Sequence, residues 1–354
     1  MLWRISLTFA VAACALQGQT VAWRDAMRQP AAWYGSAEAA RIAENLLLYQ
    51  RDIGGWDKNI DMAAPLTAEK RAELMREKSD PAAHSTIDND ATYTQMRFLA
   101  RVFTISLQGR YAAAFRRGLE YLFKAQYANG GWPQFYPLRD GYWSHITYND
   151  DAMTGVLNLL RDIATRQPDF AFLTDADRAT ARHAIDKGIE CILKTQVTQN
   201  GKLTVWCAQH DEHTLAPAKA RAYELPSLSG AESVGVVEFL MGVEQPSREI
   251  VRSIEGAVAW FRASKITGIR VERKPAPGTP RGWDSTVVAD AGAPPLWARF
   301  YELGTGRPIF SGRDSVVKYS MAEIEYERRN GYRWYVDLPR RLIEEEYPAW
   351  KVKQ

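Results

Sequence analysis

The sequence predicts an all-α fold, an (α/α) toroid or barrel built from repeated helix pairs with few short strands. Three observations predict it. First, the segments ending at Trp56, Trp132 and Trp206 share one plan: a helical apolar pattern, then a Gln (Gln50, Gln126, Gln196), then glycine (Gly54-Gly55, Gly130-Gly131, Gly201). Second, these glutamines are 76 and 70 residues apart, and each interval holds a further helical run. Such units bury their faces against one another. Third, the alternation typical of strands is scarce; Arg270 to Arg273 and Trp334 to Val336 read as short extensions.

Taken in order, the chain opens with Arg4 and an apolar run from Ile5 to Leu16, too short to span a bilayer. Residues 1–20 are expected to be a signal peptide and 21–354 a single catalytic domain, exported to the periplasm or the exterior. Val11-Ala-Ala-Cys14 loosely resembles a lipoprotein box, which leaves lipid anchoring as an alternative. Helices that stop at Gln and Gly follow the usual C-terminal signal, with a weaker fourth copy from Ala259 to Ile269. The intervening, inner helices are expected over Thr92–Ile105, from Met153 onward, over Ser233–Val243 and over Leu296–Leu303. No later segment reads as transmembrane.

If the inner helices run parallel, their N-terminal ends gather on one face. Asp88, Asn89, Asp90, Asp150, Asp151, Arg221 and Glu224 then converge at one mouth. A helix cap uses one side chain, yet Asn149, Asp150 and Asp151 stand in a row before the Met153 helix. Asp151 is expected to cap; Asp150 is left to reach into the cleft. Carboxylates gathered without matching bases are costly unless a cation joins them, and oxygen ligands suit Ca²⁺. No EF-hand loop is present, so spacing alone is a weak metal signal.

Composition narrows the classes. A net charge of +3 with no Lys/Arg-rich run gives no nucleic-acid footprint. The 12 Trp and 16 Tyr suit stacking on sugars, although most aromatics are core. His210 and His213 have no third ligand at zinc spacing, and no P-loop, Rossmann or G-x-S-x-G motif is found. Cys191 and Cys207 read either as a pair or as buried free thiols.

The runs "NGGWPQFYPL", "HITYNDDAM", "GKLTVWCAQHD", "PAKARAYELPSLSG" and "RPIFSGRD" resemble the pectate lyases of polysaccharide lyase family 10, nearly collinearly from Asp52 to Trp350. The resemblance implies an (α/α) toroid, polygalacturonate or pectin as substrate and calcium-assisted β-elimination. By the same likeness Asp88 and Asp150 match the calcium positions and Arg221 the base. Lys58 and Arg307 match substrate-carboxylate contacts, and Asn89 a sugar contact. Asp90 is left without an essential role.

The implied chemistry needs a base for a weakly acidic C5 proton, and guanidinium normally stays protonated. Lys219, bound calcium and desolvation are expected to lower the pKa of Arg221. The main alternative is an α/α-toroid glycoside hydrolase acting on a uronic-acid polysaccharide, with Asp88 and Asp150 as acid and base. A non-catalytic pectin-binding module and a terpenoid-cyclase-like toroid are further alternatives; the latter lacks its D-x-D-D motif. The chain is expected to act as a monomer.

Overall fold

The computed structural model describes residues 20–80 and 84–354; the expected signal peptide and Cys14 lie outside them, apart from Thr20. Eight main helices carry the core: α1 (Ala37–Tyr49), α2 (Ala68–Glu77), α3 (Tyr93–Ser106), α4 (Gly109–Ala125), α5 (Ala152–Ala164), α6 (Asp175–Thr195), α7 (Glu232–Met241) and α8 (Arg248–Ser264). α3, α5 and α7 pack side by side as an inner layer, and α1, α4, α6 and α8 cover them. The buried apolar core runs from Ala26 to Trp350. No helix of the described residues is long and apolar enough to cross a membrane. Cys191 and Cys207 are buried free thiols.

The all-α expectation does not hold. Fourteen short strands in six sheets accompany the helices among the described residues. The expected helix over Leu296–Leu303 is instead strand: Trp297–Ala298 pairs with Tyr335–Val336, and Phe300–Glu302 pairs with Ser227–Ser229. Its apolar spacing is compatible with a helix. Its aromatic content, with Pro294-Pro295 before and Gly304 after, favours extended backbone.

The repeat has a concrete physical basis. Each Gln side chain donates two hydrogen bonds, one to its own turn and one to the next covering helix. Gln50 Nε2 reaches the carbonyls of Gly54 at 2.7 Å and Ala114 at 2.8 Å. Gln126 reaches Gly130 at 3.0 Å and Ala184 at 2.9 Å, and Gln196 reaches Thr204 at 2.8 Å and Ser253 at 2.9 Å. Each Trp indole then folds back onto the preceding helix: Trp56 to Leu46 O (2.9 Å), Trp132 to Leu122 O (2.8 Å) and Trp206 to Ile192 O (2.7 Å). Trp297 repeats this on Phe261 O at 2.8 Å, so it is the fourth member. At Gly54 and Gly130, φ is 108° and 93°, and an added methyl would lie 2.2 Å and 1.9 Å from the carbonyls of Arg117 and Lys187. Only glycine meets both demands.

The covering helices α1, α6 and α8 start with the side-chain caps Ser36, Thr174 and Ser247. The inner helices do not. α3, α5 and α7 have Thr92, Asp151 and Ala231 at the cap position, and none accepts a bond from its own helix's first turn through its side chain; Thr92 Oγ1 instead accepts from Trp56 N at 3.1 Å. Instead the chain enters each inner helix from a short strand: β1 (Ser85–Thr86), β3 (Ile146–Thr147) and β5 (Ser227–Ser229). Each pairs antiparallel with the strand that follows the next Trp: β2 (Phe135–Tyr136), β4 (Gln209–His210) and β8 (Phe300–Glu302), where β6 (Ile269–Pro275) and β7 (Trp283–Ala289) form a separate hairpin. These ladders satisfy buried backbone polar groups that caps would otherwise serve.

Candidate active site

The turns between strand and inner helix are left-handed. Asn89, Asp90 and Thr92 have φ of 49°, 62° and 66°, and Asp150 and Asp151 have 49° and 56°. Asn and Asp tolerate this region better than other non-glycine residues, which explains why they crowd here. The turn lifts Asp88 and Asp150 to the ends of two neighbouring inner helices.

Asp88 is 3 % exposed. Its Oδ2 accepts from Lys58 Nζ and, at 2.5 Å, from Gln134 Nε2. Its Oδ1 is buried with no hydrogen-bond partner. Asn89 beside it donates to Asn59 Oδ1 at 3.0 Å. Asp150 accepts from Asn149 Nδ2 at 2.6 Å through Oδ2 and from Arg299 Nη2 at 3.4 Å through Oδ1. Arg299 also bonds the buried Glu232. Asp150, Glu232, Arg299 and Arg333 line a cavity of about 360 Å³.

Arg221 is gripped by Glu224: Nε to Oε2 is 2.7 Å and Nη2 to Oε1 is 2.5 Å. Glu224 is 6 % exposed. Tyr332 joins the two halves. Its hydroxyl donates to Glu224 at 2.7 Å, and its ring lies 4.5 Å below the Arg299 guanidinium and 5.8 Å from that of Arg221. Arg221 and Asp150 therefore stand on one rim. Tyr142, half-buried, feels the charges of Arg221, Glu224 and Asp88, and ties in the third corner. At the rim Asp88 pairs with Lys58 and Glu224 with Arg221, whereas Asp150 and Glu232 share Arg299; Arg333, which faces the same cavity, is paired with Asp337.

Three expectations need correction. The pKa of Arg221 is not lowered. Burial opposes its charge, but the Glu224 carboxylate more than compensates and raises it well above the ordinary value. Lys219 does not assist, because its Nζ is bonded to Ser315 Oγ at 2.9 Å. Asp151 does not cap its helix; its Oδ1 meets only the Thr154 hydroxyl, at 3.4 Å. It faces a cavity of about 1040 Å³ that also takes in Lys58, Asn89, Asp90 and Glu238. Arg307 stacks 3.6 Å over the Tyr319 ring and contacts none of the other five predicted residues.

Sequence reading missed Gln134, Glu232, Arg299 and Tyr332. A signal for two of them was present. Gln134 and Arg299 each stand two residues after a repeat Trp, and Ala208 holds that place after Trp206. The carbonyls at these places do the same work. Gln134 O accepts from Ile87 N, Ala208 O from Tyr148 N and Asn149 N, and Arg299 O from Gly230 N. The second residue after each Trp is thus a rim position. A separate group, His145, Asp211 and Glu212, has ligand atoms within 4.8 Å of one another but includes none of the predicted residues.

The chain is a polysaccharide lyase: it belongs to the pectic acid lyase family, whose model matches residues 50–343. It is similar to the family 10 polysaccharide lyase from Cellvibrio cellulosa, at 37 % identity over 91 % of this chain and 97 % of that one, with a TM-score of 0.77. It is equally similar to an aspartate-to-alanine variant of that lyase in complex with trigalacturonic acid, at 36 % identity over 90 % and 95 %, TM-score 0.77. No curated protein matches the chain.

Proposed function

We propose that this lyase cleaves the α-1,4 bonds of polygalacturonate by calcium-assisted β-elimination at the Asp88–Asp150–Arg221 rim. One observation carries the reading: Oδ1 of the buried Asp88 lacks a partner, although Oδ2 meets Lys58 and Gln134. A buried carboxylate oxygen left so is costly unless a donor or a further cation reaches it. Oxygen donors from Asp88 and Asp150 suit Ca²⁺. When bound, that ion would neutralise the substrate carboxylate and make the C5 proton more acidic. The trigalacturonic acid held by the Cellvibrio relative supports the substrate class.

The remaining work falls to side chains. Lys58 and Asn89 hold the uronate and its hydroxyls beside Asp88, and Arg307 takes a carboxylate further along the polymer. Arg299 compensates Asp150 and Glu232, keeping the rim electrostatically tolerable before substrate arrives. Arg221 is the base. It must be neutral to accept the proton, so it first gives a proton to solvent, and the Glu224 carboxylate, which holds the charge on Arg221, keeps that neutral fraction small. Glu224 grips Nε and Nη2 and so aims the guanidine, which takes the C5 proton. The electrons of the C5–H bond form C4=C5 as the C4–O bond breaks, and solvent protonates the departing oxygen.

The test is absorbance of the 4,5-unsaturated end during incubation with polygalacturonate. An EDTA-sensitive rise is expected. Reducing ends released without that chromophore would make the enzyme a hydrolase and overturn the reading.

A further inference from the structure

We infer that the β6–β7 hairpin is an accessory binding surface for anionic uronate polymer, separate from the catalytic rim. This rests on polygalacturonate being the substrate.

The hairpin is an insertion. In the first three repeats the turn from Gln to Trp spans 50–56, 126–132 and 196–206. In the fourth, Lys265 stands in the Gln place and Trp297 follows only after the hairpin. Ile266 and Leu296 exchange two backbone bonds, of 2.7 Å and 2.9 Å, and close its base, so the core is complete without it. Its two strands form a sheet of their own. An isolated ribbon is marginal by itself, and one face stays in solvent: Val271 and Val287, directly paired, are 38 % and 37 % exposed.

The tip carries charge of one sign. From Arg273 to Trp283 there are three cations, Arg273, Lys274 and Arg281, and no acid. The Arg273 guanidinium lies 4.3 Å from the half-buried Trp283 ring and that of Arg281 lies 5.5 Å from it. Nearby acids are committed elsewhere: Glu272 to Arg270 and Lys274, Asp284 to Arg329, Asp290 to Arg270, Glu327 to Arg313 and Arg328. Among the described residues neither Arg273 nor Arg281 forms an ion pair. An aromatic ring for a sugar face, flanked by guanidinium groups for carboxylates, fits repeated uronates.

The tip is also held rigid. Ala276 N and Gly282 O bond at 2.9 Å, and Thr279 Oγ1 donates to Ala276 O at 2.8 Å. Tyr326 OH donates to Trp283 O at 2.7 Å and accepts from Arg281 N at 3.2 Å. Tyr326 opens the short helix Tyr326–Gly331, and the next residue is Tyr332 of the rim. A six-residue helix is about 9 Å long, so a polymer bound at the rim has this surface within reach. Preorganisation lowers the cost of binding.

The test compares the protein with its Arg273→Glu/Arg281→Glu variant in native gels containing polygalacturonate and EDTA, and in rates on polygalacturonate and trigalacturonate. Retardation by polymer should weaken about five- to tenfold, from two lost exposed charge contacts and their reversal. The KM for polymer should rise likewise, with kcat and trimer kinetics unchanged. Equal retardation of both proteins, or of neither, overturns the inference. So does a parallel loss on trimer and polymer, or retardation by polyphosphate that matches polygalacturonate in strength. If the parent is retarded and the variant is not, yet no unsaturated product forms, the surface stands and the lyase chemistry falls.

Discussion

Arg221 and Glu224 form a two-pronged ion pair, and the carboxylate raises the pKa of the guanidinium that the elimination needs as its base. Replacing Glu224 by Gln keeps the shape and removes the anion. The pKa of Arg221 should fall, and the rise of kcat/KM with pH should move to lower pH. A pH–rate profile of Glu224→Gln identical in midpoint to the parent would show that Glu224 does not set the pKa of the base. Arg221→Ala should lower kcat by about 10²- to 10⁴-fold, the usual range for a lost general base, while oligogalacturonate affinity stays within a few-fold.

Calcium should bind weakly alone and more tightly with oligogalacturonate, because Asp88 and Asp150 supply few oxygens and the substrate carboxylate adds more. Calorimetric titration with and without the oligomer measures this. Asp150→Ala should weaken the calcium affinity of the loaded complex by at least about tenfold. Unaltered affinity would place the ion elsewhere, with His145, Asp211 and Glu212 the next group to mutate.

The repeat makes its own prediction. Gln126→Leu leaves the Gly130 carbonyl without its side-chain donor and removes the second bond on the Ala184 carbonyl, which stays bonded within its helix. Urea denaturation should show a loss of roughly 1–3 kcal/mol. Gly130→Ala, with its steric conflict, should cost at least roughly 3 kcal/mol. Gly201→Ala has open space and only a positive φ, so about 1 kcal/mol is expected. Equal costs at both glycines would refute the close approach to Lys187.

Glu238 offers a pH test of stability. Burial and the facing carboxyl of Glu346 push it up to about 7 from 4.5. The native state then binds more protons than the unfolded chain between these values, so this group's contribution is present below about pH 4.5 and is lost as pH rises through 7. Glu238 is exposed at the edge of the cavity it lines, so solvent screening reduces the loss to roughly 0.5–1 kcal/mol. Glu238→Gln should flatten that part of the Tm-against-pH curve; an unchanged slope would exclude Glu238 as its source.

Much of this was legible in the sequence because it repeats. Gln50, Gln126 and Gln196 do one job, and their spacing exposed the helix pairs. Trp297 escaped because its Gln is replaced by Lys265 and a hairpin separates it from its helix. The rim carboxylates were visible as a surplus of Asn and Asp before the inner helices. Their partners were harder to see: Arg299 shows only as the second residue after Trp297, and Tyr332, in the bend after the helix Tyr326–Gly331, carries no local pattern of its own. The capping expected of Asp151 and the lowered pKa expected of Arg221 fail because both depend on neighbours, here the left-handed turn and the buried Glu224.

Each repeat glutamine donates across a junction into a helix of the following unit. Neighbouring units are therefore joined by a directional bond as well as by apolar packing, and the same bond recurs at each junction. Length can vary freely only where the Gln-to-Trp turns leave the wall. The twenty-odd residues between Ile266 and Leu296 show the route by which such enzymes can acquire new surfaces while the catalytic scaffold stays intact.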